Sequence, residues 1–230
     1  MNAIVRLLAV SGSFLAASAA LPLIGCAAAR MQVDPGLAAG AEKLPVNVDK
    51  SLTSYNAIGI GPYQAEDLDV AWKSTSGAKV GPVSGSDTSK KYAFKVTASG
   101  KTVGAKCEYT KSAKGVVMGI ATAGASEGVT CTFAGAGDGA ALAVKRGEAG
   151  FAGQATVNGR AYGIASRHVV AGGGSSSSPV GYDVRVGEKL LAEMQTSTEP
   201  TVWLDKSADA DDKLAAATLM IGLYLFNDAT

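Results

Sequence analysis

Few residues in this chain are equipped for covalent or acid–base chemistry. Its 230 residues hold three cysteines, Cys26, Cys107 and Cys131, and one histidine, His168. One histidine and three cysteines weigh against a zinc enzyme or a histidine-based catalytic centre. Gly124-Ala125-Ser126-Glu127-Gly128 has the spacing of a nucleophile elbow, which would expose the Ser126 hydroxyl on a strained turn. That mechanism needs a helix after the serine. Val129–Phe133 alternates like a strand instead, so the segment reads as a hairpin turn. Hydrolysis by Ser126 with His168 as base is kept only as an alternative, and no catalytic residue is assigned. Gly135-Ala136-Gly137-Asp138-Gly139-Ala140 fits a loose dinucleotide pattern but lacks the following helix and the surrounding βαβ unit. Asp205, Asp209, Asp211 and Asp212 crowd like a calcium loop without its central glycine and distal glutamate. No cofactor and no metal is implied.

The elements that would position such groups are mostly strands. The chain is 47% hydrophobic and 18% charged, too apolar for disorder, and its length suits one or two domains. A net charge of +1 leaves no electrostatic footprint for nucleic acid. Tyr92, Phe94 and Val96 alternate with Lys91, Lys95 and Thr97, and Val103, Ala105, Cys107 and Tyr109 with Thr102, Lys106 and Glu108. Val129, Cys131 and Phe133 repeat this period of two, the mark of a strand with one buried face. Val116–Ala123 is a continuous apolar run, Ala140–Arg146, Phe151–Val157 and Arg160–Ser166 are short segments, and Asn158-Gly159 is a hairpin signal. After a Gly/Ser loop at residues 172–179, read as flexible, the alternation resumes through Tyr182–Val186, Leu190–Gln195 and Thr201–Leu204. About ten to twelve short strands at this spacing suit a barrel or sandwich.

The carboxyl end differs. Asp209 and Asp212 have the spacing of a helix cap, and from Leu214 to Phe226 only Thr218 is polar. A helix apolar all round must be enclosed. Thirteen residues span about 20 Å, short of the roughly 30 Å of a bilayer core, so protein is the better enclosure. The expectation is a mainly β fold, an antiparallel barrel-like sheet around a hydrophobic C-terminal helix at 208–226, in one domain over 56–230.

The amino end carries an address. A basic stretch, Met1–Arg6, precedes an apolar run, Leu7–Leu23, as in a secretory leader. It ends in Leu23-Ile24-Gly25-Cys26, which resembles the lipobox of bacterial lipoproteins. The resemblance implies removal of residues 1–25, diacylation of Cys26 and acylation of the new amino terminus. Ala27 in place of aspartate implies sorting to the outer membrane of a Gram-negative cell. Residues 26–55, with Pro35, Gly36, Gly40 and Pro45, then read as a flexible tether to the lipid. With Cys26 lipidated in an oxidising periplasm, Cys107 and Cys131, 24 positions apart, would pair. Two buried free thiols are the other reading. A disulfide requires their Cα atoms within about 7 Å.

The tail resembles a second family. Strand, Gly turn, strand, Pro turn, a strand with Trp203 and an acid-capped apolar helix, over Tyr182–Phe226, are similar to the tubby C-terminal-like superfamily, which includes scramblase and LURP-one-related domains. The resemblance implies a barrel of about twelve strands wrapped around the helix. Some relatives bind phosphoinositides through basic residues, but no matching basic cluster occurs here. The expected function is a non-catalytic binding, scaffolding or envelope-maintenance module. Its partners would be the membrane, through the anchor, and an envelope protein or lipid. The alternative is a barrel with an internal cavity for a lipid or another hydrophobe.

Overall fold

A computed structural model of the chain describes residues 30–228, apart from 52–53, 72, 81–82, 114–115, 118–119, 122–125 and 198. The expected leader, Cys26, Trp72 and Gly124-Ala125 lie outside the described residues.

The period-two segments are strands. In chain order they are β1 (Ala41–Lys50), β2 (Tyr55–Ile60), β3 (Tyr63–Val70), β4 (Ser74–Val80), β5 (Val83–Ala98), β6 (Lys101–Ala113), β7 (Val116–Val117), β8 (Ile120–Ala121), β9 (Ser126–Ala134), β10 (Ala141–Gly147), β11 (Gly150–Val157), β12 (Arg160–Arg167), β13 (Gly181–Val186), β14 (Lys189–Gln195) and β15 (Thr201–Asp205). A short helix, α1 (Pro35–Gly40), precedes them and a long one, α2 (Ala210–Asn227), follows. Asn158 and Gly159 take φ of 52° and 74°, the pair of positive angles a type I′ hairpin demands.

Antiparallel pairing runs β3-β2-β1-β15-β14-β13-β12-β11-β10-β9-β6-β5, and β5 pairs back onto β3. The result is a closed barrel of twelve strands, which leaves no sheet edge around its circumference. Val70↔Tyr92 and Ser74↔Ser89 place β3 and β4 end to end along β5, so β4 extends the wall past the barrel. Val116↔Ala121 and Val117↔Ile120 pair with each other. The described part of the apolar run Val116–Ala123 is therefore a small hairpin, where a single strand was expected.

Inside the barrel runs α2. It contacts β2, β3, β5, β6, β13, β14 and β15, strands spread around the circle. Leu219, Met220, Ile221, Leu223, Leu225 and Phe226 have no exposed surface, as a helix without a polar stripe requires. Asp209 caps its start, with Oδ1 accepting the Asp212 N–H at 2.7 Å. The buried Asp212 carboxylate accepts from Tyr162 Oη at 2.8 Å and Arg160 Nη1 at 2.7 Å, which latches the helix start to β12. The outer wall exposes Lys91, Lys95, Lys106 and Glu108. A charged outside with an apolar inside is the reverse of a membrane-spanning barrel. No helix among the described residues is long and apolar enough to cross a membrane.

Residues 30–50 correct the expected tether. Residues 30–40 lie against the outer wall as a strap that ends in α1, with Leu37 buried, and β1 is an integral barrel strand between β15 and β2. The prolines and glycines that suggested a loop have local reasons to be there. Pro35 starts α1, where an amide hydrogen has no partner to lose. Pro45 sits where β1 leaves its ladder with β15, at Ala41–Pro45, and joins β2 from Val46 onward. A missing donor costs least at such a changeover.

Candidate functional site at the tail rim

The barrel has two rims. The head rim, where α2 starts, carries the turns at Ser99-Gly100, Asn158-Gly159 and Gly187-Glu188. The tail rim, where α2 ends, carries Lys50, Glu127, Gly147–Gly150, Arg167 and the 168–180 loop. The described chain begins at the tail rim. Met31 bridges Val170, Gln32 N–H donates to Val169 O at 2.9 Å, and Ala171 N–H donates to Arg30 O at 2.8 Å.

From there the strap crosses polar residues that alternation alone would leave in water. Asp183 and Glu193 stand opposite each other on the outer face of β13 and β14. Glu193 has no exposed surface, because Asp34 N–H donates to its Oε2 at 2.7 Å and the strap covers it. Met31 N–H donates to Gln195 Oε1 at 3.0 Å. Arg167 lies 3.4 Å from Glu193 and 3.7 Å from Asp183, and Arg185 donates to Asp183 at 3.2 Å. Burial pushes the Glu193 carboxyl above its usual range, while the Asp34 N–H and the Arg167 charge oppose the rise. Buried Arg167 Nε, Asp183 Oδ1 and Glu193 Oε1 have no hydrogen-bond partner among the described residues. The two carboxylates are enclosed and hold the strap down, while Arg167 and Arg185 reach part-way to solvent.

His168 closes the adjoining loop. Its Nδ1 lies 3.0 Å from Ser176 O and its Nε2 2.9 Å from Ser166 Oγ. A carbonyl only accepts, so Nδ1 carries a proton, and in the neutral ring Nε2 accepts from the serine hydroxyl. This is the polarity of a nucleophile–base pair. Yet Ser166 Oγ also accepts Phe151 N–H at 2.9 Å, and a Cβ on Gly150 would lie 2.4 Å from both Ser166 Oγ and His168 Nε2. The pair is wedged against backbone and acts as a clasp. The 172–179 segment, expected as flexible, is instead tied at Gly173 and Gly174 to Val170 and at Ser176 to His168.

This clasp corrects the pairing considered for Ser126. Ser126 begins β9 opposite Ser112, and β10 and β11 separate it from β12. Three strand spacings make about 14 Å. His168 serves Ser166, two residues before it, not Ser126. Glu127, beside Ser126, is buried and accepts from Tyr109 Oη at 3.1 Å and Arg146 Nε at 2.7 Å, with Lys111 at 3.5 Å. Asp228, after α2, takes Lys50 at 2.9 Å and Lys90 at 3.6 Å. Burial works to raise its carboxyl, but hydrogen bonds from Lys50 and Tyr55 and both lysine charges outweigh that and hold it below its usual range. The aspartates considered for calcium are all engaged at the head rim: Asp209 in capping, Asp212 with Arg160, Asp211 with Lys101 and Asp205 with Lys189.

Cys107 and Cys131 are cross-strand partners on β6 and β9, bonded as a disulfide with Cα atoms 4.0 Å apart. Outside them, adjoining depressions of about 460 Å³ and 340 Å³ share Ala93, Lys106 and Thr132 on the outer wall. Small residues at Ala93 and Gly104 leave this space between the lysines. The Glu193 cluster and these depressions escaped sequence reasoning. Only the polar face of β13 and β14 hinted at the first. No family model, curated protein or solved structure matches the chain.

Proposed function

We propose that this protein is a bacterial envelope lipoprotein with a tubby-like barrel, held at the Gram-negative outer membrane through lipidated Cys26, whose barrel is a non-catalytic binding and scaffolding module facing the periplasm. The observation that carries this reading is the occupation of the barrel by α2. With Leu219, Met220 and Ile221 filling the interior, recognition falls to the outer wall and the rims. The same packing weighs against an internal lipid cavity, which would need several hundred Å³. A closed twelve-stranded barrel around a C-terminal helix agrees with the tubby-like resemblance. The Cys107–Cys131 bond suits an oxidising compartment. The depressions beside Lys106 are the surface assigned to a protein or lipid partner.

Fractionation of a Gram-negative host tests the anchor. The wild-type chain should sediment with outer membranes and Cys26→Ser should be released as a soluble periplasmic protein. Wild-type chain in the soluble fraction, or Cys26→Ser still membrane-bound, refutes the reading.

A further inference from the structure

We infer that the tail rim is a membrane-apposed face: the loop Val169–Gly174 and the cations around it rest on the phospholipid surface that holds the chain's own anchor. The inference rests on lipidation of Cys26. Four residue steps separate Cys26 from Arg30, a reach of at most about 14 Å however the chain runs. Arg30 is hydrogen-bonded to the 168–176 loop, so the rim that carries the loop stays within that distance of the lipid. The head rim lies farther off by about the length of α2, whose 18 residues make about 27 Å. Turning it toward the bilayer would mean peeling residues 30–40 from the wall, and with them the Asp34 bond that covers Glu193.

The chemistry of the tail rim fits an anionic lipid surface. Lys111 and Arg146, with side chains 48% and 45% exposed, share one carboxylate, Glu127, which is 6% exposed. Lys50 and Lys90 likewise share Asp228. The Glu127 cluster presents two exposed cations against one buried anion, the Asp228 cluster adds exposed Lys50 beside buried Lys90, and cations near an anionic headgroup layer are attracted to it. Val169, 42% exposed, is a large hydrophobic side chain left open to solvent, and it stands beside the strap. Exposed glycines 172–174 let the loop lie close to headgroups.

The test uses the full lipidated chain in vesicles of phosphatidylethanolamine and phosphatidylglycerol with brominated acyl chains, which quench nearby tryptophan. Val169→Trp places a probe on the tail rim and Glu188→Trp one on the head rim, each read against the wild-type signal. Both proteins should float with the vesicles, and bromine should lower the added signal about twofold at position 169 and leave it unchanged at 188. Floating protein quenched equally at both positions, or more at 188, overturns the orientation while leaving the anchor intact. Protein that does not float overturns the anchor, and the orientation with it.

Discussion

Asp34 donates its backbone N–H to the Glu193 carboxylate at 2.7 Å, across 159 positions of sequence. The bond joins the strap to the outer wall of the barrel and buries an acid that would otherwise stand in water. It also makes the amino-terminal segment part of the fold, so anything attached just before it is held close to one rim.

That burial has a pH signature. Glu193 is held above its ordinary value of 4.5, so the folded chain keeps a proton that the unfolded chain has already released. Its favourable contribution is fully present below 4.5 and is lost as pH rises through the folded value. Asp183, Asp34 and Arg167 face it, and their charges are part of its surroundings. Asp205 and Asp228 are held below 3.8, so they stay ionised in that window. Urea unfolding of the wild type should lose stability as pH rises above 4.5 relative to Glu193→Gln. Parallel pH profiles for the two proteins would contradict the assignment.

The disulfide closes a loop of 24 positions between β6 and β9. Reduction, or the double change Cys107→Ser and Cys131→Ser, should cost about 3 kcal/mol in equilibrium unfolding. A change well under 1 kcal/mol would mean that the ladder alone restrains these strands.

The plug and its latch should be costly to disturb. Leu219→Ala removes a wholly buried side chain and should cost about 2–5 kcal/mol. Asp212→Ala leaves Tyr162 Oη and Arg160 without their acceptor and should cost about 1–3 kcal/mol. Exposed Lys106→Ala is the control and should fall within about 0.5 kcal/mol of wild type. A harmless Leu219→Ala would show that α2 does not fill the barrel.

If Ser166 and His168 form a clasp, Ser166→Ala should speed amide exchange in the 168–176 loop and leave the rest of the barrel unchanged. A fluorophosphonate should label neither Ser166 nor Ser126. Stoichiometric labelling of Ser166 that His168→Asn abolishes would make the pair a reactive centre instead.

Most strands were legible because one face of each turns to the apolar interior of the barrel, and period two follows from that. Tyr182 and Val184 turn inward and Asp183 outward, as their types suggest. What escaped was the second layer. A strand's own residues do not say that a distant segment will cover its polar face, so Asp183 and Glu193 read as solvated. β1 was hidden because Pro45 breaks the pattern at its change of partner, although Leu44 and Val46 point to buried surface. The Ser166–His168 contact has no motif of its own, because it forms only where the chain leaves the end of β12. The apolar helix, by contrast, announced its own enclosure, since nothing on it could face water.

We propose that Cys26 ties this barrel to a membrane. Mass spectrometry of the mature chain from a Gram-negative host measures it most directly. The expected amino-terminal peptide begins at Cys26 and bears a thioether-linked diacylglycerol and an amide-linked acyl chain. A mature chain that retains residues 1–25, or a Cys26 with no lipid on its sulfur, would contradict it.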